Sequence, residues 1–217
     1  IAPKEIIDKC EFFSVGGDQG AFDRNVLEVN GWSSKHRDVY QVYEFAMTRN
    51  AAGKWSSFGP RLDQIRTLFG HCLHYFDFAG SKLEMDNFRT DHGVYVLQAA
   101  KKVDRKGQVD RTNDLLLSAR HHVMWGSDLE GDFLKTQWDK NERAKGRWEW
   151  SSHNHPDAAD ADRYSLQPVF DGTMPEAEKP KEEQRGFEDD DATPGEAPAW
   201  YEKDLDAVVP DGPSELY

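Results

Sequence analysis

The order of extended and helical runs constrains this 217-residue chain most. Three extended runs come first, with no helical pattern between them. Glu11 to Gly17 (EFFSVGG) is a short apolar run that stops at Gly16-Gly17-Asp18-Gln19-Gly20, as a buried strand does at a glycine-flanked turn. Asn25–Trp32 and Val39–Thr48 follow, and the second alternates roughly as a sheet strand does. Together they read as an antiparallel meander. Helical and extended runs then alternate. Phe58, Leu62, Ile65 and Phe69 fall on one helical face, and Gly70 suits the stop. Leu73–Phe78 is extended, Lys82 to Asp91 helical, Val94–Ala99 extended and Val109–Arg120 helical. His122–Trp125 is a short extended piece. Ser127 and Glu130 form a capping box for a helix from Asp128 to Trp138. Arg147–Trp150 is extended, and a last helix opens at Pro156. The expectation is an α/β protein: a central mixed sheet, its first three strands antiparallel, flanked by helices.

Acids punctuate this order. Asp18 ends the first extended run and Asp77 lies near the end of the fourth. The last helix begins His155-Pro156-Asp157-Ala158-Ala159-Asp160-Ala161-Asp162-Arg163-Tyr164. Proline is at home at the first helical position, and acids in the first turn suit the helix dipole. Asp157 and Asp160 are three residues apart and share a face. Asp162 points roughly 140° away from Asp157 and is expected to be a surface charge. Strand ends lying side by side make the usual ligand site of an α/β sheet. If the first and fourth strands are neighbours, Asp18 and Asp77 converge, and the last helix can bring in Asp157 and Asp160. Clustered carboxylates repel, and a hard divalent cation, Mg²⁺ or Mn²⁺, relieves them. One or two such ions on acids can activate water against a phosphodiester.

The net charge of −13 does not exclude a polyanionic partner, because it is unevenly spread. Residues 171–217 hold 15 acids and 4 bases, while residues 1–170 carry only −2. Six of the ten prolines also lie in 171–217, so this segment is expected to be a disordered acidic tail. It contains two apolar islands, Ala199-Trp200-Tyr201 and Leu205 with Val208-Val209. Cys10 and Cys72 read as reduced thiols. No apolar run reaches membrane-span length and no signal peptide opens the chain, so a soluble protein without a membrane partner is expected. The chain begins at Ile1 and reads as a piece of something longer.

The acids in this order resemble the ribonuclease H-like superfamily. More narrowly, the chain resembles the C-terminal nuclease domain of the large terminase subunit of tailed bacteriophages. Three pieces carry the resemblance: Gly17-Asp18-Gln19-Gly20, Tyr75-Phe76-Asp77-Phe78-Ala79, and the closing stretch from His155 to Tyr164. It covers about residues 10–168, within a nuclease domain drawn as 1–170 and a tail drawn as 171–217. The family often has two adjacent acids where this chain has Pro156-Asp157, which leaves open whether Asp157, Asp160 or both complete the metal site; Asp157 is favoured as the primary ligand. The resemblance implies an endonuclease that cuts concatemeric viral DNA when packaging starts and when a head is full, in the cytoplasm of the infected bacterium. It implies double-stranded DNA, the small terminase subunit and the portal ring as partners. The position of the acidic tail suggests it as a portal- or capsid-docking element. The family's ATPase motor needs a Gly-x-x-x-x-Gly-Lys-Ser/Thr loop, which is not in this sequence. A junction resolvase, a ribonuclease H and a non-catalytic docking module are the competing readings.

Lys101, Lys102 and Arg105, with Lys106, are candidates for holding phosphates, and Arg143, Lys145 and Arg147 form a similar group. Asp23 reads as a loop acid and Glu44 as a sheet-face acid without a role. His71, Cys72 and His74 lack two further ligands at zinc-finger spacing and read as buried strand residues. His153-Asn154-His155 matches the name of a nuclease class by accident. Trp125, Trp138, Trp148 and Trp150 read as core and rim packing.

Overall fold

The computed structural model describes residues 1–19, 24–48, 58–77, 82–99, 104–151 and 156–173. The three leading runs form β1 (Phe12–Gln19), β2 (Arg24–Ser33) and β3 (Asp38–Thr48), paired antiparallel in that order. A short helix, α1 (Lys4–Ile7), precedes them. The alternation then holds: α2 (Gly59–Phe69), β4 (Cys72–Phe76), α3 (Lys82–His92), β5 (Val96–Gln98), α4 (Arg105–Leu117) and β6 (His121–His122). Helices α5 (Asp128–Lys135), α6 (Lys140–Ala144), α7 (Asp157–Ser165) and α8 (Gln167–Phe170) complete the described chain. β4 runs parallel to β1, β5 to β4 and β6 to β3. Among the described residues the sheet has six strands in the order β5-β4-β1-β2-β3-β6. No helix among them is long and apolar enough to cross a membrane.

Local chemistry sets most boundaries. Gly70, at φ 73°, stops α2. Half of the expected capping box forms at α5: Ser127 Oγ accepts from Glu130 N at 3.0 Å, while Glu130 Oε2 accepts from Gly126 N at 2.7 Å rather than from Ser127 N. Several boundaries move: β6 is His121–His122 rather than His122–Trp125, and α4 ends at Leu117 rather than Arg120. α4 begins at Arg105 rather than Val109, because Asp104 accepts from Gly107 N and caps an earlier start. α5 ends at Lys135, because Thr136 turns extended and Trp138 pairs instead with Trp150 in an isolated bridge.

The sheet separates two different interiors. On one face, Phe13, Val15, Leu27 and Val29 pack with Phe58, Leu62, Ile65 and Phe69 around α2, and with Phe88 of α3. Phe76 meets Phe58 and Phe88 edge to face, with centroids 6.1 and 5.9 Å apart. On the other face lies α7, backed by α5, with a small apolar cluster of Val26, Leu129, Ala158, Ala159 and Ala161. A bulge at Val29/Asn30 places Tyr43 opposite Val29 but Gln41 opposite Asn30. Gln41 and Glu44 therefore share the α7 face with Glu28 and Asn30.

Candidate active site

Helix α7 lies directly on β1. Ser14 Oγ donates to Ser165 O at 2.6 Å, and a Cβ on Gly16 would stand 1.8 Å from Ala161 O. Gly16, two residues before the acid, thus lets helix backbone touch strand backbone. Ser14, Gly16 and Asp18 alternate onto this face. Two strand residues advance about 6.6 Å and four helical residues about 6 Å. After Ser14 with Ser165 and Gly16 with Ala161, Asp157 comes level with Asp18.

Asp77 joins from the neighbouring strand. β1 and β4 are paired in parallel through Gly17 opposite Phe76, and Asp77 N donates to Gly17 O at 3.1 Å. Asp18 and Asp77 therefore lie side by side at the C-terminal ends of adjacent parallel strands. Asp18, Asp77, Asp157 and Asp160 are all buried. Burial first, and then the Asp160, Asp18 and Asp77 charges, push the Tyr164 phenol up.

Asp160 has a defined environment. Its Oδ1 accepts from Arg163 Nη2 at 2.9 Å, Arg163 Nε at 3.3 Å and Trp150 Nε1 at 3.0 Å. Its Oδ2 is buried and makes no hydrogen bond among the described residues. Burial pushes this carboxyl up, but the Arg163 and Arg105 charges and the bonds from Arg163 and Trp150 hold it below its ordinary value. It is an anion. Arg163 also donates to Gln108 Oε1 through Nη1. Trp150 stacks on Trp138 at 4.2 Å, and both line a cavity of about 140 Å³ with Phe133, Ala159 and Arg163.

A carboxylate set with one bare buried oxygen suits a hard divalent cation in its donor chemistry. The side chains as they stand are not gathered into a shell: among the described residues no group of three or more His, Cys, Asp or Glu is placed to hold an ion.

Several expectations change. Asp162 is fully buried, not a surface charge. It accepts from Asn30 Nδ2 at 2.7 Å and lies 3.4 Å from His121 Nε2. The reason is that every residue of α7 is buried, so the helix has no solvent face to offer. Pro156 is the N-cap, not the first helical residue. Glu44 has a structural role, accepting from Asp128 N and Leu129 N and so capping α5. Trp125 is 93% exposed and packs in no core. His74 and Cys72 are buried in β4 as expected, whereas His71 is exposed. Cys10 and Cys72 are free thiols, both pushed up to about 12 by burial. Arg105 turns inward: its side chain is 11% exposed and pairs with Glu149 at 2.6 Å. Lys101, Lys102, Asp23, His153, His155 and residues 174–217 lie outside the described residues.

Sequence reasoning missed Glu28, Asp132 and Arg24. Glu28 is fully buried opposite Glu44 and accepts from Gln41 Nε2 at 2.9 Å. Burial first, then the Glu44 charge, pushes its carboxyl well above the ordinary 4.5. Asp132 bonds the start of α7 and Arg24. The one sequence signal was an acid at even spacing in a β-rich run, which does not separate a buried acid from a solvated one.

No protein-family model and no curated protein matches the sequence. Solved structures do match. The nuclease domain of the large terminase of bacteriophage SPP1, solved with bound Mn, superposes with a TM-score of 0.56 at 15% identity, over 78% of this chain and 93% of that one. The large terminase nuclease of thermophilic phage G20c gives 0.57 at 15% identity, over 71% and 81%. A longer large terminase, from another thermophilic bacteriophage, gives 0.59 at 15% identity over 74% of this chain, and the match spans 40% of that protein's length. At this identity the likeness is one of fold: the chain has the ribonuclease H-like α/β fold of the nuclease domains of phage large terminases, as its three acid motifs implied.

Proposed function

We propose that this chain is the divalent-metal-dependent DNA endonuclease domain of a viral packaging terminase. It cuts concatemeric double-stranded phage DNA at the start and completion of packaging, in the cytoplasm of the infected host. The observation that carries the reading is the placing of Asp18 and Asp77 on adjacent parallel strand ends, under a buried helix whose first turn holds Asp157 and Asp160. Asp18, Asp77, Asp157 and Asp160 would hold Mg²⁺ or Mn²⁺, and the Mn-bound SPP1 domain of the same fold supports that choice. Such ions, when bound, activate water and neutralise charge on the leaving oxygen. The chain's own residues keep Asp160 ionised and oriented: Arg163 and Trp150 saturate one of its oxygens and leave the other bare. Lys101 and Lys102 are the candidate phosphate contacts, since Arg105 is turned inward and paired with Glu149. The small terminase subunit and the portal ring are the proposed protein partners, with residues 171–217 as the portal-docking segment.

A plasmid-nicking assay with Mn²⁺ tests this, comparing the chain with Asp18→Ala and Asp77→Ala. The expected outcome is nicking by the parent and a loss of at least about 100-fold in each variant. Equal cutting by all three would sink the site assignment. A second reading, a non-catalytic module, is favoured by the ungathered side chains and by the Arg163 ion pair on Asp160. Absence of both nicking and Mn²⁺ binding by the parent would support it.

A further inference from the structure

Helix α7 starts without a cap of its own, since Pro156 precedes it and supplies no side-chain bond. The first N–H groups of a helix need partners, most of all when buried. Two of them are met from another helix. Asp132 Oδ2, on α5, accepts from Ala158 N at 2.8 Å and Ala159 N at 3.4 Å. These amides lie between Asp157 and Asp160 in the chain. A third carboxylate beside that turn would repel both acids, and Arg24 offsets it. Arg24 Nη2 pairs with Asp132 Oδ1 at 3.0 Å and Nη1 with Asp128 Oδ2 at 2.9 Å, and the Arg24 charge also interacts with Asp157. Asp132 is fixed in turn, because Glu44 of β3 ties down the start of α5 through Asp128 N and Leu129 N, each at 2.9 Å.

We propose that Asp132 is a positioning residue for the acidic site. By capping α7 from α5, it sets the height of the first turn and so the placing of Asp157 and Asp160 against Asp18 and Asp77. Its consequence for metal binding rests on the nuclease reading; its control of the helix start does not.

The test compares the parent chain with Asp132→Ala and Asp132→Asn by amide exchange at Ala158 and Ala159, Mn²⁺ calorimetry and thermal midpoint. In Asp132→Ala both amides lose protection, and Mn²⁺ affinity falls by about 10-fold or more, as for other outer partners of metal ligands. Asp132→Asn keeps an acceptor oxygen and recovers most of both. Retained protection at Ala158 and Ala159 in Asp132→Ala overturns the proposal. So does unchanged Mn²⁺ affinity after protection is lost, since the cap would then be structural only. A parent chain that neither binds Mn²⁺ nor nicks DNA sinks the nuclease reading and the metal consequence with it, while the exchange result still decides whether Asp132 places the helix.

Discussion

The two faces of the sheet bury their side chains in opposite ways. The α2 face is a run of aromatic and aliphatic groups, with Phe58, Leu62, Ile65 and Phe76 all fully buried. The α7 face buries Ser14, Asp18, Glu28, Asn30, Gln41, Asp157, Asp160, Asp162, Arg163 and Ser165. Apolar burial stabilises at roughly 25 cal/mol per Å², whereas a buried charge is costly unless it is paired. Stability is therefore concentrated on one face and the proposed chemistry on the other. Within the polar face a second contrast appears. Asp160, beside Arg163, is held ionised, while Glu28, beside Glu44 with Gln41 as its neutral partner, is pushed toward the protonated form. One neighbouring cation decides which buried acid keeps its charge.

Mutations can break that comparison. The largest effect on stability is expected from Phe76→Ala, which opens a hole between Phe58 and Phe88 and costs about 3–5 kcal/mol. Denaturant unfolding should show the loss, with nicking by the remaining folded fraction preserved. An equally large drop in specific activity would mean that the two faces are not separable.

Glu28→Gln sharpens the contrast from the other side. The native state binds the Glu28 proton more tightly than the unfolded chain does, so wild-type stability falls as pH rises from the ordinary 4.5 through the raised native value. Glutamine does not titrate and can still donate to Glu44. The variant should match the parent below pH 4.5 and gain at least about 1 kcal/mol by pH 8, since each tenfold tightening of proton binding is worth about 1.4 kcal/mol. Unfolding curves at pH 4 and pH 8 check this, and a constant difference between them would place the proton elsewhere.

Trp150→Phe is the mildest change. It removes one of three hydrogen bonds to Asp160 Oδ1 and leaves the ring to stack on Trp138. A loss of about 1 kcal/mol is expected, read as a drop of about 2–4 °C in Tm. A much larger loss would show that the stack, not the bond, depends on the indole.

Period and punctuation along the chain were enough for the β-β-β-α-β-α-β order, the mixed sheet, the helix ending at Gly70 and the Ser127 cap. These are local properties, written within a few residues of where they act. Tertiary structure alone decided that β4 lies beside β1, and so that Asp18 and Asp77 stand side by side. It decided that Asp162 is buried, because a helix enclosed on all sides loses the solvent face that helical spacing assumes. The pairing of Asp160 with Trp150, the cap from Asp132 and the bond from Ser14 to Ser165 join residues 10, 26 and 151 apart in the chain. No periodicity spans such distances, since a side chain's partner across the fold depends on how whole elements pack rather than on its sequence neighbours.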